Sequence, residues 1–154
     1  MEANKMIEVQ NQKRVVLLPP QFKNNGDFVS NTYVDVSGWG HLRVEMIVGV
    51  TDVIIGSTDT SHAPKLESDD DIAFGSAEDV EGAVLAAVIG AGDDNKVFAI
   101  DVDLRKSHER YCRVNAPTAG NATGANLCII ATLSDPQIGP NSAAEQGLAE
   151  LVQA

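Results

Sequence analysis

Two segments of strict two-residue alternation constrain the fold more than any other feature of the sequence. Apolar residues take every second position in them: Leu42, Val44, Met46, Val48 and Val50 in the first, and Phe98, Ile100, Val102 and Leu104 in the second. Successive side chains of a β-strand point to opposite faces of its sheet, so each segment predicts a strand with one buried face. Such half-buried strands are typical of antiparallel sheets.

Shorter apolar segments bounded by turn residues predict further strands at 15–18, 28–36, 65–68, 110–114 and 127–133. Pro19 and Pro20 are expected to end the first of these, because proline donates no ladder hydrogen bond. The segment 65–68 is expected at a sheet edge, while 83–92 fits either a strand or one turn of helix. Strands about eight to twelve residues apart predict an all-β fold, an antiparallel β-sandwich of the jelly-roll kind.

The chain of 154 residues is long enough for one domain with a sizeable core. The expected parts are an extended N-terminal arm over 1–14, a β-sandwich domain over 15–135 and a C-terminal tail over 136–154. The arm contains Met6, Ile7 and Val9 among mostly polar neighbours. These three side chains are enough to order against a partner and too few to fold alone, so they are candidate assembly residues.

The tail carries the start signal of a helix. Ser142 and Glu145 match the S-x-x-E capping box. Leu148, Leu151 and Val152 then follow at helical spacing. A short C-terminal helix is therefore predicted.

The charge distribution bears on the class of partner. The net charge is −11, whereas nucleic-acid binders usually carry a basic surface, so no direct nucleic-acid partner is expected. Eleven acids and a single base lie between Glu67 and Asp103. This asymmetry suits either docking by charge complementarity or a solvated acidic face. A run of about 18 apolar residues is missing and the N-terminus does not resemble a secretory signal, so we expect synthesis in a cytoplasm and no membrane partner.

The segment AIDVDLRKSHERYCRV, residues 99–114, concentrates reactive side chains. Cys112 and His108 could supply a nucleophile and a base. They are four residues apart across a turn and a strand, so their side chains would lie at different positions along the strand direction. The pattern also contains no group that would orient the imidazole. We therefore expect no enzyme activity.

A structural interpretation of the same segment is favoured. Asp101 and Asp103 point outward on one predicted strand, and Arg110 or Arg113 lies on the next. Cross-strand pairs between them would each contribute at most about 1 kcal/mol. The segment is thus predicted to be a corner held by ion pairs.

The two cysteines are expected to be buried and reduced, with their sulfurs on opposite faces. Cys112 should face inward, while Cys128 should face away from its neighbours Leu127 and Ile129. Their spacing matches neither a zinc site nor a disulfide framework.

The acidic run near residues 67–81 does not match an EF-hand. A loop starting at Asp69 would have Phe74 at its sixth position and Val80 at its twelfth, where glycine and glutamate are needed. An irregular calcium site stays open, and no metal or other cofactor is expected.

Residues 96–114, KVFAIDVDLRKSHERYCRV, followed by a Gly/Ala-rich loop and NLCIIATLSDP, resemble the small capsid decoration or cement proteins of tailed bacteriophages. The resemblance covers roughly residues 28–135 and is a pattern of strands and turns. It implies a β-sandwich, often trimeric, that binds the major capsid protein on the virion surface and stabilises the shell. It also implies that Asp101, Asp103, Arg110, Tyr111 and Arg113 are framework or assembly residues.

Two alternatives stay open beside the capsid decoration function. Neck and tail proteins of the same particles also use small β-sandwiches. A carbohydrate-binding β-sandwich is the other alternative, although aromatic residues make up only 5% of the chain and sugar sites usually need exposed aromatics.

Overall fold

The computed structural model of the protein describes residues 11–23, 26–29, 32–52, 55–56, 63–118, 124–139 and 142–152. These residues contain the strands β1 (Lys13–Lys23), β2 (Gly26–Val29), β3 (Val34–Asp35), β4 (Trp39–Thr51), β5 (Lys65–Asp69), β6 (Glu78–Val84), β7 (Val97–Asp103), β8 (Tyr111–Thr118) and β9 (Ala125–Pro136). A short 3-10 helix, Ala91–Asp93, precedes β7. Within the described ranges, no helix has the length and apolar character needed to cross a membrane.

The strands form two antiparallel sheets. Sheet I has the order β1-β9-β4-β7, and sheet II has the order β2-β8-β5-β6, with the short β3 also paired to β8. Counted as one interrupted strand, β2 and β3 complete two four-stranded sheets in the jelly-roll order. The predicted all-β sandwich is confirmed.

The core lies between the sheets and is built from the alternating positions of the sequence. Leu42, Val44, Met46 and Val48 of β4 are all buried, as predicted. Val50 is different, because it is 55% exposed while Thr51 is fully buried. A register shift between Val48 and Thr51 in the pairing with β9 reverses the alternation, so the predicted inward position of Val50 is wrong.

Strand β1 continues through its two prolines, so the expected strand end at Pro19 is wrong. β1 is an edge strand of sheet I, where a missing N–H group costs no ladder hydrogen bond. A register shift between Leu18 and Gln21 accommodates Pro19 and Pro20. The strand begins at Lys13, two residues inside the predicted arm.

The acidic segment contributes strands of its own. β5 lies between β8 and β6, so its expected edge position is wrong. The edge strand is β6, whose sequence EDVEGAV buries Val80 and Ala83 alone. Because most of its side chains face solvent, β6 lacks the apolar pattern by which β4 is recognised. The segment 83–92 is divided between elements: β6 ends at Val84, Ile89 makes an isolated bridge, and the 3-10 helix begins at Ala91.

The expected C-terminal helix is wrong: the tail makes one turn and stops. The capping box does form, since the N–H of Ser142 donates to Oε2 of Glu145 and the N–H of Glu145 donates to Oγ of Ser142. Gly147 then adopts a φ of 73° and donates its N–H to the carbonyl of Ala144. A left-handed glycine in this hydrogen-bonding position ends a helix.

This turn docks on the edge of β1. The N–H of Arg14 donates to the carbonyl of Gln146 at 2.8 Å, and Gln146 is 5% exposed. A side chain at Gly147 would meet the carbonyl of Arg14. The tail thus covers one end of an otherwise open strand edge, a common protection against unwanted strand pairing.

Candidate functional site

The segment 99–114 passes from one sheet of the sandwich to the other. Asp101 and Asp103 lie on β7 in sheet I, while Tyr111 and Arg113 lie on β8 in sheet II. The predicted ion pairs of Arg110 or Arg113 with these two aspartates are therefore wrong. Strands that are adjacent in the chain are here not adjacent in a sheet.

On sheet I the two aspartates pair with other arginines. Asp101 accepts two hydrogen bonds of 2.8 Å from Arg43 and lies 3.4 Å from Nε2 of His41. The hydrogen bonds from Arg43 lower the pKa of the Asp101 carboxyl. Asp103 pairs with Arg105, which lowers its pKa from 3.8 to about 2. Both aspartates also line a cleft of about 360 Å³ between β6 and β7.

On sheet II, Arg110, the residue before β8, pairs with Asp35 of the short strand β3. Nη2 of Arg110 lies 2.8 Å from Oδ2 of Asp35, and this hydrogen bond lowers the pKa of that carboxyl. The same guanidinium lies over the Tyr111 ring, 5.0 Å from its centroid. Arg110 thus ties β3 to the beginning of β8.

Arg113 makes the more buried pair of sheet II. Its Nε donates to Oε2 of Glu67 at 3.0 Å, while Asn115 donates to the other carboxylate oxygen at 2.9 Å. The guanidinium lies 4.5 Å from the centroid of the Phe74 ring, which folds over it from the β5–β6 loop. Sequence reasoning missed the roles of Glu67, in the predicted strand 65–68, and of Phe74, in the acidic run, because neither residue is near Arg113 in the sequence.

Three rings gather beside these pairs, and we name Tyr33, Phe74 and Tyr111 the aromatic corner. The Tyr33 and Tyr111 centroids lie 5.1 Å apart with the rings at 75°, an edge-to-face contact. The Tyr33 and Phe74 centroids lie 6.4 Å apart. Tyr33 is 38% exposed, so the corner presents one partly open aromatic side chain.

The carboxylate of Asp69, the last residue of β5, holds the backbone of the acidic β5–β6 loop. Asp69 is 1% exposed and accepts hydrogen bonds from the backbone N–H groups of Asp71 and Ser76, each at 2.9 Å. The bond from Asp71 is the main cause of the lowered pKa of Asp69. No three His, Cys, Asp or Glu side chains within the described residues are placed to hold a metal ion.

Cys112 and His108 occupy structural positions. Cys112 is 1% exposed, and burial raises the pKa of its thiol to about 12, so almost no thiolate forms near neutral pH. The ring nitrogens of His108 lie 2.6 Å and 2.9 Å from the carbonyl oxygens of Glu109 and Leu104. The imidazole therefore closes the turn between β7 and β8.

The two thiols are free and lie on different sides of their sheets, as predicted. Leu127 and Ile129, which flank Cys128 in β9, are buried in the core. Cys128 itself is partly exposed on the outer face of sheet I, so its predicted burial is wrong. Its partial burial raises the pKa of its thiol as well.

The outer face of sheet I carries an exposed apolar surface, which we name the sheet I patch: Val16, Phe22, Ile47, Val97 and Cys128. Val16, Phe22 and Val97 are more than half exposed, at 53%, 57% and 59%. Ile47 pairs with Cys128 on one side and with Val97 on the other, so these three side chains form one row across β9, β4 and β7. All four strands of the sheet contribute to the patch.

An open groove of about 510 Å³ runs through this patch. Its lining includes Pro20, Ile47, Gly49, Asn126 and Cys128. A sequence signal for the surface exists: the outward positions of β4 change from Arg43 and Glu45 to Ile47, where a solvated face would stay polar. Met6, Ile7 and Val9, the other predicted assembly residues, lie outside the described residues.

No protein-family model matches the chain, and no curated protein matches it.

Proposed function

We propose that this protein is a structural virion protein that binds the outside of a major capsid protein shell and stabilises it. The observation that carries the proposal is the sheet I patch. Exposed apolar side chains on β1, β4 and β7 lie on the same face of the sheet as the partly exposed Cys128 of β9, and soluble proteins use such exposed apolar surfaces to bind other proteins.

The rigidity of the patch supports docking as its function. Its side chains stand on paired β-strands over a core in which Leu42, Met46, Ile129 and Leu133 are fully buried. A surface held in this way loses little conformational entropy when a partner binds, which favours affinity. The resemblance of residues 96–114 to capsid decoration proteins supports a shell as the partner.

The charge of the remaining surface supports a basic region on the partner. Asp70, Asp71, Glu78 and Glu81 are exposed around β6, on the edge of sheet II. Complementary charge accelerates encounter and orients the two surfaces before the apolar contact forms. Under this proposal, binding weakens as salt is added, because screening removes the attraction.

Self-association, with a trimer favoured, is part of the proposal. A protein of 16.3 kDa has little surface for one strong contact, and specific interfaces bury about 800 Å² per partner. Several linked copies on neighbouring shell subunits bind more tightly than one copy, through effective concentration.

Matched substitutions on the two sheet edges test the docking face. Val97→Lys places a charge in the sheet I patch, and Val84→Lys places the same charge on β6, where the valine is 44% exposed. Co-sedimentation with purified empty shells, at a salt concentration that screens the acidic surface around β6, should weaken at least tenfold for Val97→Lys and stay near wild type for Val84→Lys. Equal binding by both variants would show that the sheet I patch does not bind the shell.

The aromatic corner favours carbohydrate binding as a second candidate function. Tyr33 is partly exposed beside the Arg110–Asp35 pair, so a ring and charged hydrogen-bonding groups lie together. A glycan array distinguishes the two candidates: binding lost in Tyr33→Ala, with no binding to shells, would favour this function. A neck or tail location is distinguished from the shell surface by electron microscopy of labelled particles.

A further inference from the structure

We infer that the free edge of β7 binds an extended basic segment of another protein, which pairs with it as an additional strand of sheet I. The inference goes beyond shell binding by the sheet I patch, because it concerns a strand edge and names the kind of segment that fits it. β7 is the last strand of sheet I, and among the described residues it pairs with β4 alone. The backbone groups on its other side are therefore open to a partner strand.

The hydrogen bonds to β4 identify these backbone groups. The N–H of Val48 donates to the carbonyl of Lys96, and the N–H of Leu104 donates to the carbonyl of Gly40. Antiparallel partners exchange hydrogen bonds at every second residue, so the even-numbered residues of β7 bond to β4. The odd-numbered residues direct their N–H and C=O groups away from β4, which leaves three with both groups at the free edge: Val97, Ala99 and Asp101.

The regularity of β7 distinguishes it from the other strand edges. In β1, two prolines and two register shifts interrupt the edge, and the tail covers one end of it. β7 contains no proline, and its seven residues pair with β4 without a register shift. Proteins usually protect a long strand edge with such interruptions, because a regular edge is a template for another strand.

The cleft of about 360 Å³ between β6 and β7 provides space for side chains of the added strand. In the pairing of β6 with β5, Leu66 alone stands opposite the four residues 80–83, so β6 bulges at this point. The bulged residues form one wall of the cleft, and β7 forms the other. Alternate side chains of an added strand would enter the cleft and contact Val80, Ala83 and Val102, which line it.

The charges around the cleft favour a basic segment. Three carboxylates and one ammonium group line it, those of Glu81, Asp101, Asp103 and Lys106. Arginines outside the cleft pair with the two aspartates, so the long-range attraction comes mainly from the net charge of −11. Pairing with β7 of a second copy would bring the aspartates of both strands together, and like charges on neighbouring strands are destabilising. The chemistry therefore favours a foreign basic strand over a second copy.

A synthetic peptide tests the pairing directly. It has seven residues, the length of β7, with lysine and valine in alternation and with both ends blocked. In an antiparallel pair, residues that exchange hydrogen bonds carry their side chains on the same face. The lysines, on the outer face beside Ala99 and Asp101, would therefore bond to β7, while the valines enter the cleft.

Two methylated forms of the peptide separate strand pairing from simple charge attraction. N-methylation of two lysine residues removes N–H groups that would donate to β7, and we expect binding to weaken at least tenfold. N-methylation of two valine residues removes N–H groups that point away from β7, so binding should stay within twofold of the parent peptide. Both forms have the same charge. Isothermal calorimetry measures the affinities, and equal weakening by the two forms would overturn the inference.

Substitutions on the protein place the peptide at the edge. Ala99→Pro removes an N–H group that makes no hydrogen bond to β4, and edge strands tolerate proline, as β1 does. It should weaken binding at least tenfold, whereas Ala99→Ser keeps the N–H group and should bind like the wild type. In the wild type, saturating peptide should slow amide hydrogen exchange at Ala99 and Asp101 at least tenfold.

The contrary outcomes are distinct. Equal binding by Ala99→Pro and Ala99→Ser, or unchanged exchange at both amides, would overturn the inference. Self-association of the wild type that Ala99→Pro abolishes, without any peptide binding, would assign the edge to a second copy and would also overturn it. The experiment uses no shells, so its failure is distinguishable from a failure of the shell-binding proposal.

Discussion

Arg113 and Glu67 form the ion pair with the least exposed side chains within the described part of the chain, at 24% and 11%. The pair spans β8 and β5 on the outer face of sheet II, 46 positions apart in sequence. Asn115 and the Phe74 ring complete its surroundings. The corner that the sequence indicated is thus held mainly by a glutamate from another strand.

Removal of Arg113 should destabilise the protein measurably. Arg113→Ala leaves a mostly buried carboxylate without its cation, and we expect the free energy of unfolding to fall by about 2 kcal/mol. Arg105→Ala is the control, because its side chain is 82% exposed and solvent screens such a pair, so its loss should be much smaller. Urea denaturation measures both variants, and equal losses would contradict this assignment.

The pKa of Asp103 should respond to Arg105 more than to Lys106. The hydrogen bond from Arg105 is the largest cause of the pKa of about 2, and Lys106 contributes least. A carboxyl whose folded pKa lies below its unfolded value stabilises the fold above that value, and the stabilisation is lost as pH falls from about 4 to 2.

Carboxyl carbon chemical shifts in an NMR titration measure this pKa directly. Arg105→Ala should return it towards 3.8, and Lys106→Ala should change it less. An unchanged pKa in Arg105→Ala would show that the ion pair does not form in solution.

The two thiols should differ strongly in reactivity. Cys128 is partly exposed on sheet I, whereas Cys112 is buried with a thiol pKa of about 12. A thiol reagent at neutral pH should modify Cys128 at least a hundredfold faster, because the reactive form is an accessible thiolate. Cys128→Ser should then react only after denaturation, and fast labelling of the folded variant would contradict the burial of Cys112.

Gly147→Ala should loosen the tail. The φ of 73° costs an L-residue about 1–2 kcal/mol, and the added methyl group would meet the carbonyl of Arg14. Amide hydrogen exchange at Arg14 should therefore accelerate. Gly75→Ala is the matched control, since its methyl group meets no atom within 4 Å, and its exchange should match the wild type.

Alternation alone predicted the strands that bury one face and expose the other. β4 and β7 were recognised in this way, because their inward residues pack against the opposite sheet. The predicted first strand ends too early, because the effect of proline on its own residue indicates a strand end. Whether a strand tolerates proline depends on its position in the sheet, and β1 is an edge strand. β6 was missed because an edge strand with mostly solvated side chains has too few apolar residues to show a period.

The partners of charged residues were less predictable than the strands. The step from β7 to β8 crosses between sheets, so nearness in sequence paired Asp101 with the wrong arginine. Its actual partner, Arg43, comes from β4, 58 positions away. Likewise, the exposed surface of sheet I depends on four strands aligned in register, and no single segment of sequence contains that alignment.

Purified empty shells provide the most direct test of the central claim. The protein is added in increasing amounts, and bound copies per shell and the disruption temperature of the shell are measured by sedimentation and light scattering. The account predicts saturation at a fixed number of copies, together with a higher disruption temperature that Val97→Lys fails to produce. Absence of binding, or binding that leaves the disruption temperature unchanged, would contradict a stabilising capsid protein.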